Sequence, residues 1–479
     1  GGYTERFEKD ASETTVLNAL YKGRVLVATN PTTETLSVTV RDLTLQNGSA
    51  VPGEPGAVIL NDANVDLTLE RALVQRAASE AMGGGLHNTE GAWVTLAETT
   101  FFSNTAAVGG GIYNLGAVST VSATHFLENA ASGEGGAFYN GAQGRVDLNG
   151  VRILGNAAGD GGGVYNTASG ALTLTNAFVV SNTVSGDGGG LYNLSADLVM
   201  RHNTFYGNHA DGGWGGAVFH DASSGGIVNS TLFVRNEAAT SGGGFYIADA
   251  PPNDFTYGGF FNNTPDPVNP VAGFTLGPET VWQDPRFVSL DPKSAYFLRI
   301  PSGSPAEDAG DPDSPVLLDF EGTPRPTNQG FDMGADEVGE CYVRINGEAP
   351  TYGNVQWAID RSQDGDVLFI AGTCRGANAV TVGTETLTQT AYVTRSLGFQ
   401  GGYRKNRWYD PEPEFYTTTL DASNMGRVMV VDASGVVTVS GLHLTGGYAD
   451  YGGGLLVSGN GVVTLTQTYI HSNVVAGNG

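Results

Sequence analysis

The chain has 479 residues and a formal net charge of −26, from 49 Asp and Glu against 23 Lys and Arg. An acidic surface of this kind repels nucleic acid and anionic lipid heads, which excludes DNA binding. With 71 glycines but 40% hydrophobic residues the composition is neither disordered nor collagen-like, and no stretch approaches the ~18 apolar residues of a membrane span.

The sequence opens on Gly1 without a signal peptide and reads as a mature or excised piece. From Gly83 onward one pattern recurs. Triplets of glycine, with alanine twice in third place, begin at Gly83, Gly109, Gly135, Gly161, Gly188, Gly215 and Gly242, spaced 26, 26, 26, 27, 27 and 27 residues apart. An asparagine follows each triplet start by 20 or 21 residues, at Asn104, Asn129, Asn156, Asn182, Asn208, Asn236 and Asn263. Three residues before each asparagine stands an apolar residue, from Phe101 to Phe260, and eight before it stands another, from Leu96 to Phe255.

Within a repeat the texture is that of strands. In ALTLTNAFVVSN, Leu172 and Leu174 alternate with Thr173 and Thr175, and Gly, Asn, Ser and Asp break up the short runs. A unit this short has no room for a helix. It suits one turn of a parallel β-helix, each strand pairing with its counterpart in the next turn. Corners then stack at about 4.8 Å, where a Cβ would meet the coils above and below or demand a positive φ. The fourth slot of the motif (Leu86, Ile112, Phe138, Val164, Leu191, Val218, Phe245) should line the interior. The asparagine column forms either a hydrogen-bonded ladder or a series of left-handed turns. The fifth slot, His87 and then Tyr113, Tyr139, Tyr165, Tyr192, Phe219 and Tyr246, should point outward as a candidate lateral contact surface. Cover by flanking loops, or a reversed orientation, are the alternatives.

This pairing of GG[GA]-aliphatic-Tyr-Asn with Phe-x-x-Asn resembles the polymorphic outer-membrane protein repeat of chlamydial autotransporters and other secreted bacterial proteins. The resemblance covers Gly83 to Asn263 and Gly452 to Asn473, weakening where His220 and Ile247 replace the motif's asparagine. It implies a right-handed parallel β-helix of the pectin-lyase-like superfamily, at or outside the cell surface. Farther on, DPRFV (284–288), YFLRIPSGSPAEDAGD (296–311) and RPTNQGFDMGADE (325–337) are similar to the closing segment of secreted β-helices of the choice-of-anchor Q type. Its proline density suits irregular cover over a last coil. Asp308, Asp311, Asp313, Asp319, Asp332 and Asp336 in this region are candidate Ca²⁺ ligands, or turn formers. GNVQWAIDRSQDGDVLFIAGTCRG (353–376) reads as a short amphipathic helix, a turn and a strand, resembling the cap that plugs the first coil of such a β-helix.

The two ends of the chain repeat each other. Gly1-Gly2-Tyr3 aligns with Gly401-Gly402-Tyr403, Gly23-Arg24-Val25 with Gly426-Arg427-Val428, and Val38-Thr39-Val40 with Val437-Thr438-Val439. The expected organisation is therefore two successive β-helix units in tandem. Residues 1–250 are coils of one unit, 251–340 its closing segment, 341–400 the cap of the next unit and 401–479 its first coils. Cys341 and Cys374 could pair in an oxidising compartment; two free thiols are the alternative.

The superfamily's enzymes carry Asn-Thr-Asp, Gly-His-Gly or Arg-Ile-Lys motifs, all absent here, and His202 beside Arg201 reads as part of a solvated face. No catalytic residue and no cofactor is assigned, and the chain is not read as an enzyme. The reading is an extracellular structural or adhesive rod, displayed on or shed from a bacterial surface. Its expected partners are further copies, side by side or end to end in filaments or a sheath, or surface polysaccharide. The runner-up readings are a carbohydrate-active β-helix and an autotransporter passenger.

Overall fold

The computed structural model describes residues 15–476 apart from 51–52, 142, 196, 222–224, 270, 272–273, 295, 328–329, 377, 383–384, 406 and 459. The pairing of Gly1–Tyr3 with Gly401–Tyr403 lies outside the described residues on its first side. The described chain is nearly all β-structure wound as a parallel solenoid.

One turn shows how the repeat folds. Phe138–Asn140, Arg145–Asn149, Arg152–Leu154 and Ala157–Ala158 follow one another around the coil. Each pairs in parallel with its counterpart one lap later: Val164–Asn166, Ala171–Thr175, Phe178–Val180 and Thr183–Val184. Propagated lap by lap, this pairing builds parallel sheets of ten, nine, nine and six strands. The alternation read from sequence gives each strand two faces: Val146 and Leu148 are buried, whereas Arg145, Asp147 and Asn149 face out. Three corners per lap have left-handed residues, such as Glu128, Gly135 and Gly150.

Inside, like stacks on like. Phe101 lies on Phe126 at 5.4 Å between centroids, and Phe233 on Phe260 at 5.0 Å. The inward columns of the three longer sheets join one continuous core, while Val184, Ala210 and Ala238 of the six-stranded sheet form a small cluster of their own. Each fully buried Phe or Leu contributes about 1.5–3 kcal/mol.

The coiling begins before the first glycine triplet. Leu26–Ala28 pairs with Ile59–Asn61, and Ile59–Asn61 with Leu86–Asn88. The lap at Gly56 is a degenerate copy of the motif, with Ala57 and Val58 replacing the second and third glycines.

Contacts divide the chain into two compact units: residues 1–285 with 333–335, and residues 286–332 with 336–479. Most of the closing segment therefore groups with the later coils. In the first unit the last coil is covered by Phe274, 5.7 Å from Phe255, and Trp282, 5.8 Å from Phe260.

The second unit is organised on the strand Val367–Arg375. It pairs antiparallel with Glu340–Ile345 and in parallel with Gly398–Gln400 and Thr418–Asp421. The helix expected near residue 353 spans Val355–Arg361, and Asn354 caps it by accepting from the backbone N–H groups of Gln356 and Trp357. Its buried Gln356 behaves as a surrogate strand partner. The Oε1 atom accepts from Tyr392 N at 2.7 Å and Nε2 donates to Tyr392 O at 3.3 Å, satisfying the edge of Glu385–Val393. Cys341 and Cys374 are joined as a disulfide.

Candidate functional site

The periodic residues come first, since they dominate the sequence. The first glycine of every triplet has a positive φ, between 61° and 72°. The second is enclosed instead: a Cβ on Gly136 would lie 2.3 Å from Gly162 O and 2.6 Å from Ala157 O. Both reasons offered for the glycines hold, at different slots.

The structure links the asparagine column into a ladder. Asn104, Asn129, Asn156, Asn182, Asn208, Asn236 and Asn263 are buried, and each donates from Nδ2 to Oδ1 of the next at 2.9–3.0 Å. The same Oδ1 also accepts the backbone N–H of the preceding asparagine, as Asn156 Oδ1 does from Asn129 N at 2.8 Å. The second Nδ2 hydrogen reaches a carbonyl on the lap before, as Asn156 does to Phe126 O at 3.0 Å. Each amide thus ties three laps together. The left-handed residue of this corner is the one before the asparagine (Ser103, Glu128, Gly155, Ser181).

A second ladder occupies the sixth slot of the motif, which sequence reading treated only as part of a family pattern. Asn61, Asn88, Asn114, Asn140, Asn166 and Asn193 are fully buried and joined side chain to side chain at 2.7–3.0 Å. It ends at His220, whose Nδ1 lies 3.0 Å from Asn193 Nδ2. Since Asn193 can only donate there, the neutral ring accepts at Nδ1.

This ending makes the first unit acid-sensitive. Burial pushes His220 down to about 4, and His87 and His125 are likewise held near 4, chiefly by burial. Between pH 6.5 and 4 the unfolded chain binds protons that the native unit refuses, so stability falls as pH falls through that window. For His220 the loss is at most about 3 kcal/mol. Denaturant titrations at pH 7 and pH 4 check this: His220→Asn should restore the ladder amide and flatten the acid limb.

Outside the coil the fifth-slot residues form one stack, from His87 through Tyr113, Tyr139, Tyr165, Tyr192 and Phe219 to Tyr246, with centroids 4.6–5.4 Å apart. The tyrosines are half-buried, while His87 and Phe219 are buried. Because the rings cover one another's faces, only edges and hydroxyls remain for a neighbour. His202, expected on a solvated face, is fully buried. It sits at a left-handed corner, φ 52°, directly after Arg201, the outward residue of Leu198–Arg201, so the strand's own alternation places it inward.

A shallow trough of about 690 Å³ crosses the outer face of the sheet containing Arg145–Asn149; Trp93, Arg145, Asp147, Thr173 and Asp197 help to line it. Burial raises the Asp147 carboxyl above its ordinary range. Arg145 and Asp147 share a strand, and Asp197 lies two laps away, about 10 Å along the coil.

The acidic residues of the closing segment divide. Asp311 accepts the N–H of Asp313 two residues on, as a turn former does, whereas Asp308 accepts from Gly330 N, 22 residues away. Asp319 and Asp336 converge with Glu321, their oxygens within 4.8 Å of one another. Asp336 is pushed up to about 7, by burial first and then by its two acidic neighbours. Alongside, Arg325 and Glu337 form a fully buried ion pair at 2.7 Å, and burial with Glu337 nearby raises Asp332.

No family model matches the chain, and no curated protein does. Among solved structures it is similar to a mutant PL6-family alginate lyase, at 10% identity and a TM-score of 0.21, over 96% of this chain and 74% of that one.

Proposed function

We propose that this chain is an extracellular structural and adhesive β-helix, one stretch of a tandem rod. The observation that carries the reading is where the periodic polar chemistry goes. Both asparagine ladders point inward and satisfy themselves, so the recurring residues serve stacking, and the outer faces are left free for contact. The disulfide suits an oxidising compartment. The tandem arrangement is supported by a repeated contact: Arg24 Nε donates to Pro55 O at 3.1 Å, and its counterpart Arg427 Nε donates to Tyr451 O at 3.1 Å.

The trough favours a second reading, a carbohydrate-active coil, since carboxylates and an arginine converge there beside an exposed tryptophan. Paired-carboxylate hydrolysis needs the two carboxyls about 5–9.5 Å apart. The two-lap offset of Asp147 and Asp197 fits a binding strip better. Electron microscopy of the purified protein, together with sedimentation on insoluble polysaccharides, tests the proposal. Fibres or glycan retention without chain cleavage are expected. New reducing ends or unsaturated uronate products, abolished by Asp147→Asn, would establish the enzymatic reading instead.

A further inference from the structure

The second unit brings together two histidines that the sequence places 28 residues apart. Leu442–Thr445 and Tyr469–Ile470 pair in parallel, with His443 opposite Tyr469 and Leu444 opposite Ile470. Leu444 points into the core, so His443 points out. His471 follows Ile470 with its backbone N–H on Leu444 O, 3.1 Å away, and its ring turned edge-on to His443. The result is His443 Nδ1 at 3.2 Å from His471 Nε2.

Two nitrogens at that separation can share one hydrogen or one metal ion. With Zn–N bonds of about 2.0–2.1 Å and tetrahedral angles, two ligating imidazole nitrogens stand about 3.3–3.4 Å apart. Two surrounding features suit a metal. Ser472 Oγ lies 3.2 Å from His471 Nδ1, able to hold the proton on that nitrogen and leave Nε2 with its lone pair free. His443 also lines a small depression of about 90 Å³ with Gln467 and Tyr469, which leaves room for water beside its ring.

The coil does not need histidines here. In the aligned stretch of the first unit Thr44 stands where His443 does, with Leu45 matching the inward Leu444. We infer that His443 and His471 form a two-imidazole site for a borderline transition-metal ion such as Zn²⁺, with water completing the coordination. The inference is independent of the adhesive reading.

The test is a zinc titration of the full chain at neutral pH in excess calcium, which occupies the hard carboxylate sites of this acidic protein but not imidazole. One equivalent of zinc should bind, with the His443 and His471 ring resonances shifting at substoichiometric metal while His209 stays put. His443→Gln and His471→Gln should each weaken that binding at least about ten-fold, with circular dichroism unchanged because both rings are outside the core. The inference is overturned if calcium abolishes zinc binding, if the variants bind zinc as the wild type does, or if the two ring resonances do not move.

Discussion

Replacing Asn156 by alanine is expected to destabilise the first unit by roughly 4 kcal/mol, since four buried hydrogen bonds worth about 0.5–1.5 kcal/mol each are lost. The deletion leaves Asn129 N without its side-chain acceptor and takes one partner each from Asn129 Nδ2, which keeps Phe101 O, from Phe126 O and from Asn182 Oδ1, which keeps Asn156 N. Water cannot substitute easily, because every member of the column from Asn104 to Asn236 is fully buried. In a solenoid each lap contacts only its neighbours, so damage at the middle of a ladder should also split cooperativity. Urea unfolding followed through the tryptophans of the unit would show an earlier, broader transition. Asn149→Ala, on the exposed side of the neighbouring strand, should shift the curve by no more than about 0.5 kcal/mol. Equal effects of the two substitutions would remove the ladder from the stability of the coil.

The second large effect is expected at the middle glycine of a corner. Gly136→Ala places a methyl group between two backbone carbonyls, Gly162 O of the next lap and Ala157 O at the end of its own, and neither is the end of a flexible side chain. Relief requires moving a lap, which should cost about 2–3 kcal/mol as overpacking. The third slot behaves differently despite a similar close approach. A Cβ on Gly163 would sit 2.4 Å from Gly190 O, yet Ala137 and Ala217 occupy the same slot in other laps and are fully buried. Small backbone adjustments suffice there, so Gly163→Ala should cost clearly less than Gly136→Ala. The lap at Gly56 is the exception: it carries Ala57 in the second slot, although Ala78 extends the pairing of this corner by bridges to Ser49 and Thr105. Thermal midpoints of the two variants check the ordering; equal midpoints would refute it.

Electrostatics should give the two units opposite responses to pH. The first loses stability as acid protonates its buried histidines. The closing segment of the second holds Asp336 protonated up to about 7, so that part of its stability is lost as pH rises from the ordinary carboxylate range through neutrality.

Much of the coil was legible because its constraint is periodic. A residue that must stack on itself at every lap has to recur at every lap, so glycine corners, inward columns and the first asparagine column stood out by spacing. The helix at Val355–Arg361 was legible for a local reason, an asparagine cap ahead of an apolar face. What depended on side chains meeting across unequal loops was not. The second ladder was present in the motif, but its tyrosine-asparagine pair gave no sign which residue turned inward. His202 read as solvated beside its outward neighbour Arg201, although alternation from Met200 turns it inward. Which part of the closing segment belongs to which unit, the convergence of Asp319, Glu321 and Asp336, and the meeting of His443 with His471 were decided only by the tertiary structure. Register across laps brings such groups together, and no pattern within one lap records it.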